Sequence, residues 1–146
     1  MAFLVDTNIL LRTYRASDPE HNLVVHALQQ LRQRNETLFA TTQSMVELAC
    51  VLTKPIGPGN GMGMSVADAL VVLRKLERLF PVLPDTPEVY RQWMLLFQDP
   101  GALGRQVYDM RIVAAMQAHG LNHLLTLDVK DFLRYSSITV VHPRDL

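Results

Sequence analysis

Four carboxylates stand where the local pattern calls for an apolar side chain, and this narrows the folds open to the chain. Asp6 ends the run Ala2-Phe3-Leu4-Val5, and Glu47 is the only charge between Met45 and Leu52. Asp109 opens Asp109-Met110-Arg111-Ile112-Val113-Ala114-Ala115-Met116, and Asp128 ends Leu124-Leu125-Thr126-Leu127. Burial disfavours the charged form of a carboxylate. Four that converge also repel one another. A divalent cation relieves both penalties, so the pattern points to a metal site of hard oxygen ligands suited to Mg²⁺ or Mn²⁺.

The pattern around these acids predicts where they sit. Phe3–Val5, Thr37–Ala40, Val82–Leu83, His123–Leu127 and Ile138–Val141 read as short strands. Helices are expected over Thr7–Tyr14, from Asp18-Pro19-Glu20 with Asp18 as N-cap, over Ser44–Thr53, from Ser65 to about Phe80, from Thr86 to about Gln98, and over Asp109–His119 up to Gly120. In the second helix, Leu23, Ala27, Leu28 and Leu31 share a face. The helix over Ser44–Thr53 is apolar on almost every side and is expected to be buried, Cys50 included as a small core residue. The Pro- and Gly-rich segment Lys54–Met64 is expected to be a mobile loop with Met62 and Met64 as contact surface or filler, and Pro100–Gly104 a second loop. Strands separated by helices imply an α/β fold with a central parallel sheet and helices on both faces. Ligands of such sheets bind beyond the carboxyl ends of the strands, which is where Asp6 and Asp128 fall.

Each acid also has a plainer reading. Asp6 and Asp109 fit helix N-caps, Ser44-x-x-Glu47 fits a capping box, and Asp128-Val129-Lys130-Asp131 fits a polar turn. Two at strand ends and two in the first turn of apolar helices make a coincidence of four such roles improbable. The five histidines show no ligand spacing, which argues against zinc.

Composition bounds the rest. The chain has 146 residues, 49% apolar and 19% charged, which suits one domain over 1–146 with a substantial core. The formal net charge is zero, so bulk electrostatics do not drive it onto nucleic acid, although a basic rim around an acidic pocket stays open. Cys50 is the single cysteine, which suits a reducing compartment. With no signal-peptide pattern and no apolar run near the ~20 residues of a membrane span, a cytoplasmic location is expected.

In order and spacing, Phe3-Leu4-Val5-Asp6-Thr7-Asn8-Ile9-Leu10, Ser44-Met45-Val46-Glu47-Leu48, Tyr108-Asp109-Met110-Arg111-Ile112-Val113-Ala114-Ala115 and Leu125-Thr126-Leu127-Asp128-Val129-Lys130-Asp131-Phe132 resemble the PIN-domain nucleases. The size and the opening Val-Asp-Thr-Asn look most like the VapC-type toxins, the ribonuclease half of bacterial toxin–antitoxin pairs. The resemblance covers nearly the whole chain. It implies a three-layer α/β/α PIN-like fold, endonucleolytic RNA cleavage with Mg²⁺ or Mn²⁺, a homodimer and a small antitoxin partner. Carried over by position, Asp6, Glu47 and Asp109 match the strongest family acids. Asp128 and Asp131 compete for the fourth place, with Asp128 favoured as metal ligand. Thr7 and Asn8 match the polar pair that orients water, and Thr126 matches the hydroxyl before the last acid. The Lys54–Met64 loop is longer and richer in glycine than the family pattern.

The expected chemistry is phosphodiester hydrolysis, with Asp6, Asp109 and Asp128 holding the ion and Glu47 completing its shell or taking a proton from water. Arg12, Arg15, Arg105 and Arg111 are the cations nearest the motifs. An antitoxin helix is expected on an apolar groove, with a basic side chain in the acidic pocket; Met45, Leu48 or Leu52 could line part of that groove, although core packing is the expected role of each. A PIN-type RNA-processing nuclease without antitoxin and a catalytically inactive PIN-like module are the alternatives. A phosphoacceptor using Asp6 as nucleophile is disfavoured, because haloacid-dehalogenase-type enzymes need an acid where Asn8 stands, and a receiver-like domain has no use for Glu47.

Overall fold

The computed structural model describes residues 1–101 and 103–146. Among these residues, five parallel strands, β1 (Ala2–Val5), β2 (Thr37–Thr41), β3 (Val82–Leu83), β4 (His123–Leu125) and β5 (Thr139–Val141), form one sheet in the order β3-β2-β1-β4-β5. Among the described residues, seven α-helices accompany them: α1 (Thr7–Tyr14), α2 (His21–Gln33), α3 (Thr42–Thr53), α4 (Val66–Leu79), α5 (Pro87–Leu96), α6 (Gln106–Ala118) and α7 (Val129–Phe132).

The two faces of the sheet follow from the alternation of side chains along a strand. Phe3, Val5, Leu38, Ala40 and Leu125 point into one core with Ile9, Leu10, Leu28, Leu31, Leu48, Leu52, Val72 and Leu76, which come from α1–α4. Leu4 and Leu124 point the other way, into a core with Met110, Val113, Met116 and Phe132 from α6 and α7. Trp93 and Leu96 of α5 pack against that second core. Three layers result, with β1 at the centre. The chain leaves β1 towards β2 on one side and meets β4 on the other, so the carboxyl end of β1 is the switch point of the sheet.

Several local expectations are corrected. Helix α2 starts at His21, after a turn in which Asp18 Oδ1 accepts the Glu20 amide at 2.9 Å, so Asp18 caps the turn instead of the helix. Val24 is fully buried on the inner face of α2, where Leu23 is only partly covered. The cap of α3 is Thr41, whose hydroxyl accepts the Ser44 amide at 3.1 Å, so no capping box joins Ser44 to Glu47. Helix α3 is not buried all round: Leu48 and Leu52 are fully enclosed, whereas Val46 is 63% exposed and Cys50 is exposed. Helix α6 begins at Gln106 with Arg105 in the cap position, which places Asp109 within its first turn and rules out Asp109 as N-cap. Asp128-Val129-Lys130-Asp131 leads into α7 instead of a plain turn. The loop expected over Pro100–Gly104 includes Ala102, which lies outside the described residues.

The segment Lys54–Met64 is a loop, as the glycines predict, and it is fastened to α3. Met62 and Met64 donate their amides to Val51 and Leu52 carbonyls at 3.0 and 2.8 Å, and both side chains pack on the first core, so they are filler. Gly61 lies so close to the Lys54 and Pro55 carbonyls that a Cβ there falls 2.3 Å from the first and 2.4 Å from the second. Gly57 has open space within 4 Å. Gly61→Ala is therefore expected to lower stability by about 1–3 kcal/mol, the range for overpacking. Gly57→Ala, its control, is expected to be neutral or slightly stabilising. Urea melts of the two variants measure the contrast.

Candidate metal centre

The carboxyl edge of the sheet opens into a cleft of about 510 Å³ whose lining includes Asp6, Glu47, Asp109, Asp128 and Asp131. Each acid arrives by a different route. Asp6 follows the last residue of β1, and its amide is fixed to the Leu125 carbonyl of β4 at 3.0 Å. Glu47 lies on the second turn of α3, which begins directly after β2. Asp109 projects from the first turn of α6. Asp128 precedes α7, and Asp131 lies on it. All five acids named from the sequence thus reach one place, and Asp128 and Asp131 both do so.

Asp6 serves as cap and as wall of the cleft together. Its Oδ1 accepts the Thr7 amide at 2.7 Å, which is the N-cap bond of α1. Its Oδ2 accepts the Thr126 hydroxyl at 2.7 Å and the Asn8 side-chain amide at 2.9 Å. Asn8 is the hub of the cluster. Its Nδ2 also lies 3.1 Å from Asp128 Oδ2 and 3.0 Å from the Thr126 hydroxyl, while its Oδ1 accepts the Leu127 amide at 3.2 Å. Thr126 in turn accepts the Asp128 amide at 3.1 Å. Thr7 donates its hydroxyl to Glu47 Oε2 at 2.7 Å. Thr7, Asn8 and Thr126 thus orient carboxylates, whereas the expectation for Thr7 and Asn8 was that they orient water.

The charges are uncomfortable. Asp6 is raised from 3.8 to about 6, first by burial, against the lowering effect of the Thr126 and Thr7 hydrogen bonds and with Glu47 and Asp128 adding to the rise. Asp109 is likewise raised to about 6, first by burial, then by the negative fields of Asp131, Asp6, Glu47 and Asp128. For both, protonation is favoured in the folded state. Their contribution to metal-free stability is complete below about 3.8 and lost as pH rises through about 6. Lowering the pH from 7 to 5 in chelator is expected to raise the melting temperature of the wild type more than that of Asp109→Asn. Paired thermal melts give the difference directly.

The donor set suits a hard divalent ion. The lining offers carboxylate, hydroxyl and amide oxygens, with no thiolate or imidazole. Among the described residues, no three His, Cys, Asp or Glu side chains already close round one ion position. The carboxylates stand round the cleft wall, several of their oxygens held by Thr7, Asn8 and Thr126. Their chemistry fits a hard cation. The histidines stay apart from this site: His119 Nε2 contacts the Pro84 carbonyl at 2.9 Å and His123 packs on Phe3.

The nearby cations separate into two kinds. Arg105 lines the cleft. Arg12 also lines it, but its Nε lies 3.4 Å from Asp18 and 3.6 Å from Glu20. Arg111 is held outside the cleft by Asp85 and Gln43. Gln43, unremarked in the sequence, donates to Glu47 Oε1 at 2.8 Å. Its position four residues before Glu47 on one helix face was the available signal.

The PIN domain family model matches residues 3–137. Ribonuclease VapC24 of Mycobacterium tuberculosis is 23% identical over 144 residues, 95% of this chain and 94% of the relative. FitAcB from Neisseria gonorrhoeae superposes with a TM-score of 0.73 at 19% identity, covering 99% of each chain. A toxin–antitoxin complex from Klebsiella pneumoniae superposes with a TM-score of 0.63 at 21% identity, covering 98% of each. At these identities, the likeness to the solved structures is one of fold.

Proposed function

The chain belongs to the PIN-domain family, and from that premise we propose that it is a Mg²⁺- or Mn²⁺-dependent endoribonuclease, the toxin of a toxin–antitoxin pair. The observation that carries this reading is the meeting of Asp6, Glu47, Asp109, Asp128 and Asp131 in one cleft at the switch point of the sheet. VapC24, similar over 95% of the chain, is a ribonuclease by name, and the Klebsiella pneumoniae neighbour is a toxin–antitoxin complex.

In this mechanism Asp6, Asp109 and Asp128 would hold the ion, with Asp131 as a further ligand. When bound, a divalent ion polarises water and neutralises charge gathering on the phosphate. Glu47 takes the proton of the attacking water; Thr7 and Gln43 fix its carboxylate for this. The water oxygen bonds to phosphorus, one ester P–O bond breaks, and the leaving oxygen takes a proton from solvent. Thr126 and Asn8 keep Asp6 and Asp128 in place. Arg105 at the rim is the cation best placed to meet an RNA phosphate.

The remaining assignments are proposals of the same rank: a single nuclease domain over 1–146, a homodimer and a cytoplasmic location. No helix of the described residues is long and apolar enough to cross a membrane. Leu48 and Leu52 are fully enclosed, which is the core role expected of them, and this leaves the antitoxin contact to other residues. Met45 instead lines a hollow of about 300 Å³ between α3 and α4, with Val46, Ala49 and Leu73. An antitoxin helix on this hollow, with an Arg or Lys in the acidic cleft, offsets the same repulsion that the ion offsets.

The experiment is cleavage of RNA by purified protein with Mn²⁺, with excess EDTA, and after co-expression with a small protein encoded beside its gene, where the genome carries one. Cleavage that EDTA abolishes and the co-expressed protein suppresses is expected. Undiminished cleavage in EDTA contradicts the metal mechanism, and unchanged activity after co-expression removes the partner.

A further inference from the structure

A chain of side chains runs from solvent to Glu47 without entering the catalytic cleft. Asp85, between β3 and α5, lies 2.8 Å from Arg111 Nη2. Arg111 Nη1 donates to Gln43 Oε1 at 3.0 Å. Gln43 Nε2 donates to Glu47 Oε1 at 2.8 Å and to the Tyr108 carbonyl at 3.1 Å. Thr7 holds the other Glu47 oxygen at 2.7 Å.

The orientation of the Gln43 amide is set by its partners. Its NH₂ faces a carboxylate and a carbonyl, both acceptors only, and its oxygen faces a guanidinium, a donor only. A flipped amide would oppose oxygen to oxygen twice and NH₂ to guanidinium once. Arg111 is two residues after Asp109 on α6, so it leaves the helix on nearly the opposite side from that cleft residue. It lines the adjoining hollow of about 310 Å³ with Gln43 and Asp85, and Glu47 and Tyr108 line both spaces. Glu47 is therefore the wall between the catalytic cleft and this chain.

We infer that Gln43 and Arg111 are positioning residues for the proposed hydrolysis: the chain Asp85–Arg111–Gln43 fixes the Glu47 carboxylate in the attitude it needs towards the reacting water. The inference rests on the nuclease reading of the same cleft. Arg111 is suited to its place because one planar fork reaches Gln43 and Asp85 together, which a lysine ammonium on a flexible stem does less well. The guanidinium polarises the amide, which strengthens its bond to the carboxylate. Its ion pair with Asp85 is substantially exposed and contributes little to global stability. Its effect is local.

The test combines kinetics with a measurement that needs no turnover. Steady-state cleavage of a short RNA with Mn²⁺ is compared for wild type, Arg111→Ala, Arg111→Lys, Gln43→Ala and the Arg111→Ala/Gln43→Ala double variant, each shown by thermal melt to be folded. Each alanine variant is expected to lose about 10–100-fold in kcat, the range for outer-shell partners. KM should stay near the wild-type value, Arg111→Lys should be intermediate, and the double variant should be no worse than Gln43→Ala. A rise in KM at unchanged kcat, with losses that multiply in the double variant, makes Arg111 a phosphate contact and overturns the inference. In metal-free protein, the ¹H–¹⁵N resonances of the Gln43 side-chain amide are expected to move towards those of solvated glutamines in Arg111→Ala and in Glu47→Ala. Resonances indifferent to both substitutions, in a wild type that cleaves RNA, overturn the chain alone. A wild type that leaves RNA intact overturns the nuclease reading and the positioning role with it, whatever the amide does.

Discussion

Asp6→Asn and Asp109→Asn are each expected to reduce metal-dependent RNA cleavage by more than about a hundredfold. Removing an outer-shell partner of a metal site already costs about 10–100-fold, and these two side chains are proposed ligands. The substitution keeps the shape and removes the charge. For Asp6 it also places an NH₂ group among the Thr7 amide, the Thr126 hydroxyl and the Asn8 amide, which all donate to the native carboxylate. One of those donors must then lose its acceptor, so Asp6→Asn should also lose stability. Among the described residues Asp109 has no such hydrogen-bonded cage, and its variant isolates the loss of charge. Initial rates of RNA cleavage over a range of Mn²⁺ concentrations check this. Wild-type rates in either variant would remove that carboxylate from the site.

The second large effect is on stability, and its sign differs between metal-free and metal-bound protein. In chelator, Asp109→Asn should melt at a higher temperature than wild type. It removes a half-buried charge that Asp131, Asp6, Glu47 and Asp128 all repel. Gains of this kind at a functional site commonly accompany lost activity. With Mn²⁺ the order should reverse. An ion at a hundredfold excess over its Kd stabilises the folded state by about 2.7 kcal/mol. For a domain of this size, that corresponds to a rise of about 5–10 °C. The wild type should show this shift, and Asp109→Asn much less of it. Melts of both proteins in EDTA and in Mn²⁺ decide. A wild type indifferent to Mn²⁺ would contradict the metal site, and an Asp109→Asn variant less stable than wild type in EDTA would contradict the repulsion.

Much of this architecture was legible because the residues that set it are local and strong. The run Phe3-Leu4-Val5 followed by Asp6-Thr7-Asn8 writes a buried strand, a cap and a helix in six residues, and α1 occupies the predicted range Thr7–Tyr14. Ser65 caps α4, Pro87 opens α5, and Gly120 follows α6 with φ +67°. Convergence of the acids was legible for a topological reason: residues that follow strands of one parallel sheet arrive at one edge.

The misses have physical causes. Asp18-Pro19-Glu20 carries every mark of a helix start, yet the Asp18 carboxylate closes a turn on Glu20, and α2 begins only after it. The start of α6 is silent because Arg105 enters it in helical conformation without a side-chain cap. For α3, two hydroxyls within reach of the helix start compete, and Thr41 prevails over Ser44. The second tier of the site was legible only in part: the resemblance named Asn8 and Thr126, Arg111 stood among the nearby cations, and Gln43 went unremarked. Asn8, Thr126, Gln43 and Arg111 are polar residues of ordinary type. Their roles appear only when contacts such as those of Asn8 with Thr126 and of Arg111 with Gln43 join elements far apart in sequence.

The five carboxylates of the cleft are proposed to form a divalent-cation site. The most direct test is a crystal of the wild-type protein soaked in Mn²⁺ and measured at the manganese absorption edge. An anomalous peak is expected in the cleft, at about 2.0–2.2 Å from carboxylate oxygens that include Asp6 and Asp109, with Asp128 or Asp131 completing the shell directly or through water. A cleft without a peak at saturating Mn²⁺, or an ion bound only elsewhere on the molecule, would contradict it.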